Sequence, residues 1–261
     1  MFFLFLSLFA AITVILLVAE RLWPATAQRV EWANNAVAFG LSTFANLIVA
    51  VFPAVLVTRL INAAGGGLID LSVLPLALGA IVYLVAMDIG EYLFHRAQHA
   101  IPWMWAMHSL HHSDRGLNVT TTQRHFWLEP LLKSVTIWAA VALVFRVNSA
   151  ILIAYSLVSL YHFLPHANLR LGFGRLSWLL NSPQYHRLHH SRDPRHYNTN
   201  FAALFPILDV LAGSYRRPAR GEFPAAGLDV AATSPLEMVT WPAARLQRAE
   251  RAEVGQGAAA L

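Results

Sequence analysis

Ten of the twelve histidines in this 261-residue chain fall into four closely spaced sets. Residues three and four positions apart share one face of a helix, so each set can direct its imidazoles towards one point. At this composition a His-x2-His-His pattern is expected by chance only about 0.03 times, yet it occurs twice. The sequence therefore predicts a metal site built from four sets: His95 and His99; His108, His111 and His112; His162 and His166; His186, His189 and His190.

The number of imidazoles indicates two metal ions. Ten neutral ligands exceed any mononuclear site, whereas two ions with about five ligands each use them all. Five ligands on an octahedral ion leave one position open, as non-haem iron needs for oxygen, while structural zinc takes four ligands and leaves none. The chain has no cysteine and no His-Glu-x-x-His motif, which excludes iron–sulfur clusters, Cys-type zinc sites and the zinc proteases. We interpret the site as two iron ions, with zinc as the alternative that the ligand types leave open.

The composition is that of a membrane protein. Hydrophobic residues make up 57% of the chain and charged residues 13%, and the mean hydropathy is +0.49. A soluble domain usually carries about 25% charged residues, and a disordered chain has far fewer apolar residues. Three stretches without any charge approach the roughly 20 residues of a spanning helix: Met1–Ala19, Trp32–Thr58 and Leu71–Met87.

A further apolar region, Ser134–Leu169, is interrupted at Phe145–Ser149, which predicts two short helices in a hairpin. The stretch Met1–Ala19 has neither a basic start nor a small-residue cleavage site, so we interpret it as a retained anchor rather than a signal peptide. We therefore expect an all-α integral membrane protein with about four transmembrane helices, in two hairpins, capped by a cytosolic lobe that is rich in histidine.

The charge distribution predicts the orientation in the membrane. Residues 1–94 hold three Arg against five acidic residues, a net charge of −2, and residues 95–261 hold sixteen Lys or Arg against nine, a net charge of +7. By the positive-inside tendency, the basic part with its histidines faces the cytosol. The bases are scattered singly, which argues against nucleic-acid binding. One Lys against eighteen Arg is typical of a GC-rich bacterial genome, so we expect the inner membrane.

A continuous helix from Leu71 to His99 would be about 43 Å long, longer than the roughly 30 Å of the hydrocarbon core. Its last turns, with His95 and His99, would therefore project to one membrane face. Asp88 lies on the same helix and is a candidate to orient a ligand histidine, although a polar residue at a helix end near the interface explains it equally well. Tyr92 is a second candidate, with an ordinary interfacial aromatic as the alternative.

These residues also form a recognisable box. The pattern Asp88-x3-Tyr92-x2-His95-Arg96-x2-His99 resembles a motif of the fatty acid hydroxylase/sterol desaturase superfamily. Two further stretches are similar to motifs of that superfamily: Met107–Asp114, which runs on to Asn118–Thr121, and Pro183–Asp193. The resemblance as a whole covers about residues 80–215. One box departs from the pattern, because between Arg124 and Glu129 the histidine is shifted by one place to His125 and a proline is lost.

The resemblance implies a four-helix membrane core, a cytosolic metal lobe and two metal ions held by the ten histidines above, with dioxygen as co-substrate. Asp114, in the second box, joins Asp88 and Tyr92 as a candidate to support the ligands. His125 and His196 are expected to be ordinary surface or loop histidines. No Gly-x-Gly-x-x-Gly dinucleotide fingerprint occurs, so electrons would come from another protein, such as a ferredoxin or a cytochrome with its reductase.

The sequence thus favours a membrane-bound di-iron enzyme that hydroxylates or desaturates a fatty-acyl, sterol-like, hopanoid-like or related lipid with O2. The rival is a non-catalytic membrane protein that binds metal or haem, or a transporter. A haem uses two axial histidines and leaves eight unexplained, and a transporter places its ligands near the bilayer midplane. We divide the chain into an anchor region (1–80), a catalytic domain (81–215), and a C-terminal part (216–261) with a loop, a short amphipathic helix from Ser234 on the membrane surface and a disordered tail.

Overall fold

The computed structural model describes residues 2–45, 56, 57, 59–61, 63–229 and 234–245, without the side chains of residues 2–6 and 235. This part of the chain is mostly helical, as predicted. We number its α-helices as follows: α1 Phe2–Leu22, α2 Trp32–Phe44, α3 Leu76–Ala100, α4 Pro102–His112, α5 Glu129–Lys133, α6 Ala139–Val144, α7 Ser149–Ser159, α8 Phe163–His166, α9 Pro183–His189, α10 Ile207–Ala212 and α11 Pro235–Val239.

Two helical segments are long and apolar enough to cross a membrane by length and composition, namely Leu76–Ala100 and Ser149–His166. Helix α1 also covers the predicted span Met1–Ala19 from its second residue. Helix α2 covers the first half of the predicted span Trp32–Thr58, and residues 46–55 and 58 of that span lie outside the described residues.

The sequence suggested that helix α3 begins at Leu71, but in the structure it begins at Leu76. Residues Leu71–Val73 form a separate 3₁₀ turn, and Pro75 caps the helix. A proline disfavours the helical conformation of the residue before it, and Leu74 is accordingly extended, with ψ of 157°. The 25 residues of α3 still give a length of about 38 Å.

The predicted interruption of the second apolar region is confirmed. A π-helical turn, Ser134–Trp138, joins α5 to α6, and the two-residue strand β2 (Phe145–Arg146) then pairs in parallel with β1 (Ile69–Asp70). Asn148 caps the next helix by accepting a hydrogen bond from the Ile151 amide at 3.0 Å. The strand pair therefore fixes the break in the hairpin beside the start of α3, at the end of that helix opposite the histidines.

The core between these helices is apolar. Tyr83, Met87 and Phe94 of α3 are buried against Ile137 of the π-helical turn and Ile151 of α7. The opposite face of α3 is exposed in the isolated chain, with Leu78, Ile81, Val85, Ile89 and Leu93 between 38% and 60% exposed. Their spacing of three and four residues forms one continuous apolar stripe along the helix.

The C-terminal helix α11 starts where the sequence predicted. Ser234 caps it by accepting a hydrogen bond from the Glu237 amide at 3.4 Å. Met238 and Trp241 are buried, in a cluster with Met107 of α4, and the Trp241 indole donates a hydrogen bond to Ser109 Oγ at 2.9 Å. This segment therefore covers the outer side of α4. The predicted disordered tail lies outside the described residues.

Candidate metal centre

Two consecutive helices bring the first five histidines together. Helix α3 ends at Ala100 with His95 and His99 in its last turns, and α4 starts two residues later at Pro102. Ile101 between them is extended, with ψ of 120°, and proline is favoured at the first helical position. The chain therefore turns sharply, and the histidines of α4 face those of α3.

The remaining ligand candidates come from two short helices. His166 ends α8, His186 and His189 lie on α9, and His190 is the residue that caps α9. Ser182 fixes the start of α9 by accepting a hydrogen bond from the Tyr185 amide at 3.2 Å. These four imidazoles are buried, as are those of α4, whereas the two on α3 are partly exposed.

Nine of the ten predicted ligands form two separate groups. In each group the candidate ligand atoms all lie within 4.8 Å of one another: group one is His95, His99, His108, His112 and His189, and group two is His111, His166, His186 and His190. Neighbouring histidines diverge, because successive residues on a helix point about 100° apart. Each His-x2-His-His pattern therefore supplies both groups.

His162 lies outside both groups. It ends a 3₁₀ turn, Leu160–His162, that passes into α8 at Phe163. Its ring is not among the converging ligand atoms, although His162 precedes His166 by only four residues. The imidazole of His162 lines a cavity beside the two groups.

The free nitrogens of group one fit a metal ion. The Nε2 atoms of His95, His108 and His189 are buried without a hydrogen-bond partner. Their Nδ1 atoms lie 2.8 Å from the Phe201 carbonyl, 3.2 Å from Glu129 Oε2 and 2.8 Å from the Thr199 carbonyl. Each ring therefore donates its N–H on one side and presents a lone pair on the other, which is the arrangement of a metal-ligating histidine.

Group two fits a metal ion through its short nitrogen–nitrogen distances. His166 Nε2 lies 3.1 Å from His111 Nε2 and 3.0 Å from His186 Nε2, which is itself 3.2 Å from His190 Nε2. Two nitrogens that each lie about 2.1 Å from one ion are about 3 Å apart when the two bonds meet at a right angle. Four imidazoles converging at this spacing are explained by a shared cation.

The electrostatics keep these rings in the ligating form. Burial lowers the pKa of His111, His112, His186 and His190 well below the ordinary 6.5, and it lowers the pKa of His189 to about 3. The neighbouring imidazoles act in the same direction. Only a neutral imidazole has a lone pair for a metal ion, so the site is prepared for a cation at neutral pH.

Glu129 is a buried carboxylate next to group one, which the sequence did not single out as a supporting residue. Its Oε2 accepts hydrogen bonds from Gln98 Nε2 at 2.6 Å, His108 Nδ1 at 3.2 Å and His125 Nδ1 at 3.3 Å. Burial by itself would raise the pKa of this carboxyl, but the adjacent His125 and the hydrogen bonds hold it well below its usual range. The retained Arg124…Glu129 spacing of the altered box was the signal for it.

Asp88 and Tyr92 position a chain segment rather than an imidazole. The Asp88 carboxylate accepts hydrogen bonds from the amides of Leu204 and Phe205 at 2.8 and 2.9 Å. The Tyr92 hydroxyl lies 2.8 Å from Ser214 Oγ. Both residues thus anchor the segment after Thr199 on α3, including the Phe201 carbonyl that His95 uses.

Asp114 supports the corner after α4. Its carboxylate accepts hydrogen bonds from Asn35 Nδ2 at 3.0 Å, Thr121 Oγ1 at 2.6 Å and the Gly116 amide at 2.8 Å. Arg124, fully buried, joins this network by donating a hydrogen bond to Asn35 Oδ1 at 2.8 Å. Among the described residues, none of the three predicted supporting side chains hydrogen-bonds to a ligand imidazole.

The two remaining histidines are not simple surface residues. His125 is stacked on His111, with ring centres 4.4 Å apart, and it shares Glu129 with His108. His196 is 2% exposed, with Nδ1 2.9 Å from Ser191 Oγ and Nε2 3.4 Å from a Glu222 oxygen. His196 is therefore a buried histidine of the turn Pro194–His196 and lies outside both groups.

A cavity of about 670 Å³ adjoins both groups. Imidazoles of both groups line it, as do Trp138 of the π-helical turn and Tyr155 of α7. This volume lies in the range of 300–1,000 Å³ that is usual for small-molecule sites. A molecule of that size therefore has room beside the histidines.

Comparison with known proteins fits this geometry. A model of the fatty acid hydroxylase family matches residues 80–214, slightly more than half of the chain. The chain belongs to this family. The matched residues include every histidine of the two groups and the segment anchored by Asp88 and Tyr92, so the fatty acid hydroxylase region coincides with the candidate metal centre.

The curated relatives of this member of the fatty acid hydroxylase family carry the names of lipid-modifying enzymes. The chain is 34% identical over 131 residues to alkylglycerol monooxygenase from Xenopus tropicalis and 32% identical over 131 residues to that from Homo sapiens, in each case 50% of this chain and 29% of the relative. It is 30% identical over 146 residues to the ornithine lipid hydroxylase OlsE from Rhizobium tropici, 56% of this chain and 44% of the relative. The chain thus spans less than half the length of these relatives. No solved structure matches the chain.

Proposed function

We propose that this protein is a membrane-bound oxidoreductase that uses two iron ions and O2 to hydroxylate or desaturate a lipid. The observation that carries the proposal is the pair of converging histidine groups that contribute to the wall of one cavity. The family and the names of the relatives support a lipid substrate. Electrons come from an external donor protein.

Three sets of residues would have different roles in this function. The nine imidazoles of groups one and two hold the ions, and Glu129, with the carbonyls of Thr199 and Phe201, fixes ring orientation on group one. Iron bound there supplies activation of O2 for attack on an unactivated C–H bond. The cavity walls hold the lipid with one carbon beside the histidines and exclude bulk water.

The membrane arrangement is part of the proposal. We place four helical segments in the bilayer, in two hairpins, with the histidine lobe on the cytoplasmic side of a bacterial inner membrane. The two candidate spans and the exposed apolar stripe on α3 support this arrangement. The positive charge of residues 95–261 supports the orientation.

Metal analysis of the purified full chain, combined with turnover under ¹⁸O2, tests the proposed function. We expect two iron ions per chain, no Soret band, and a lipid product that either carries one ¹⁸O atom or has lost two hydrogens. Deleting the gene and comparing membrane lipids with wild type identifies the substrate.

Replacing His111 or His189 with Ala should abolish product formation, while His196→Gln, at a histidine outside both groups, should retain it. Fewer than two metal ions per chain at saturation, or a Soret band, would refute the di-iron proposal. A Soret band would favour the haem-binding alternative.

A further inference from the structure

The only lysine of the sequence, Lys133, lies in the wall of the cavity. All eighteen other basic residues are arginines, and none of the described ones lines this cavity. The Lys133 ammonium donates a hydrogen bond to Glu91 Oε2 at 2.6 Å and lies 5.7 Å from the centre of the Phe94 ring. We call Lys133 and Glu91 the cavity pair.

The cavity pair is largely, but not completely, covered by protein. The side chains are 28% and 20% exposed, and both line the cavity. An ammonium has three donors, and Glu91 takes one of them, while a carboxylate has about four acceptor sites. The pair therefore presents both donors and acceptors to whatever occupies the cavity. A purely apolar occupant would leave them without partners, which is costly away from water.

Charge decides which kind of group the cavity pair can bind. Its ammonium is neutralised by Glu91, and the cavity wall also contains the carboxylate of Glu129. An anionic group would face two carboxylates and one ammonium. A neutral group that both donates and accepts hydrogen bonds, such as a hydroxyl, meets no such repulsion.

Position relates the cavity pair to the metal centre. Glu91 is four residues before His95 on α3, so the two side chains share one helix face and lie about 6 Å apart along the axis. Lys133 is likewise four residues after Glu129, which contacts His108 of group one. A group bound by the pair is therefore within a few covalent bonds of a carbon beside group one.

We propose that the cavity pair Glu91–Lys133 is a subsite for a neutral hydroxyl group of the lipid, which selects substrates that carry such a group a few bonds from the carbon that reacts. This proposal rests on the proposed function, because it takes the cavity as the lipid site. It predicts that neither a plain hydrocarbon nor an acyl chain ending in a carboxylate is held well.

Three ten-carbon probes test this subsite without turnover: decane, 1-decanol and decanoate. Their dissociation constants are measured by calorimetry on the purified full chain as isolated, with detergent blanks. We expect 1-decanol to bind at least about tenfold more tightly than either of the others, the effect of one hydrogen bond to a charged group. Equal binding of decane and 1-decanol, or tighter binding of decanoate, would overturn the proposal.

The single lysine also allows a direct measurement at the amine. Lysine labelled with ¹³C in its side chain gives one set of signals, and 1-decanol should shift the Cε signal while decane should not. An unchanged signal with saturating 1-decanol would overturn the proposal as well. If these results hold but no oxidised lipid is formed, the proposed function fails and the subsite stands; if lipid is oxidised without a preference for 1-decanol, only the subsite fails.

A double variant supplies the control by mutation. Removing Lys133 alone would leave the largely covered Glu91 carboxylate without its partner, which destabilises folds strongly, so Lys133→Met and Glu91→Gln are combined. We expect the preference for 1-decanol to disappear while decane affinity stays within about twofold. Ser159 is another polar residue of the cavity wall, and the variant Ser159→Ala should keep the preference for 1-decanol. Loss of that preference in Ser159→Ala would show that the effect is not specific to the cavity pair.

Discussion

Spacing along the chain predicted which imidazoles could meet, but it did not decide which ones do. His95 and His99 lie four residues apart and both belong to group one, whereas of His162 and His166, also four apart, only His166 belongs to a group. The sequence pattern is the same in both cases. Membership of a group therefore depends on how the side chains are placed in the folded chain, which residue types alone do not encode.

This difference gives a direct test of the ligand set. We expect His162→Ala to retain two metal ions per chain, because the ring lies outside both groups. Elemental analysis by inductively coupled plasma mass spectrometry measures the metal content. His189→Ala should lose metal from group one, since it removes one of five converging nitrogens. Loss of one ion in His162→Ala would restore His162 to the ligand set and contradict the grouping.

Glu129 should tune the metal affinity without ligating. Glu129→Gln keeps the side-chain size but weakens the acceptor for His108 Nδ1, and loss of such a partner typically lowers metal affinity about 10- to 100-fold. The measurement is competition with a chelator of known affinity. Glu222→Gln, which changes the partner of His196, is the matched control and should leave affinity unchanged. Equal affinities in the two variants would show that Glu129 does not support group one.

At the scale of elements, hydropathy predicted apolar helices and the break in the second apolar region, and the capping pattern at Ser234 predicted the start of α11. Leu76, rather than Leu71, begins α3 because Pro75 interrupts the apolar run. The π-helical turn Ser134–Trp138 and the strand pair near Ile69 were not predicted. The strand pair joins segments that are distant in sequence, for which periodicity carries no signal.

Close packing of α3 on the π-helical turn depends on Gly90. A Cβ at this position would lie 2.6 Å from Cγ2 of the buried Ile137. Gly90→Ala should therefore destabilise the protein by about 1–3 kcal/mol through overpacking, measured as a fall in the thermal unfolding midpoint.

Gly40 provides the matched control for this prediction. It lies within α2, and a Cβ added to it would have no other atom within 4 Å. Gly40→Ala should leave stability unchanged or raise it, because alanine favours a helix by about 0.5–1 kcal/mol over glycine. A midpoint in Gly90→Ala that matches that of Gly40→Ala would show that α3 and the π-helical turn are not tightly packed at Gly90.

At the scale of the whole molecule, the buried histidines make the metal-free protein sensitive to acid. The pKa of His189 is lowered to about 3 in the folded chain, against 6.5 for an ordinary histidine. Below pH 6.5 the unfolded state binds a proton that the folded state does not, so stability decreases as the pH falls from 6.5 towards 3. At pH 5 His189 alone costs about 2 kcal/mol.

We therefore expect the melting temperature of the chelator-treated protein to fall between pH 7 and pH 5. The fluorescence of its eight tryptophans reports unfolding, and a thiol dye is of no use in a chain without cysteine. The variant His189→Gln removes one of the histidines whose pKa is lowered, so its melting temperature should fall less over this pH range. A melting temperature that is constant over this range would contradict neutral, buried imidazoles.

The two groups also differ in how far apart their members are along the chain. Four of the five members of group one lie between His95 and His112, whereas group two draws on residues from His111 to His190. During synthesis, group one is therefore nearly complete when α4 has left the ribosome, while all of group two except His111 is still to be made. Closing the longer loops costs more chain entropy. For two ions held as proposed, group one can bind its ion through four imidazoles before α9 is made, whereas group two gains its ion only after α9 has docked.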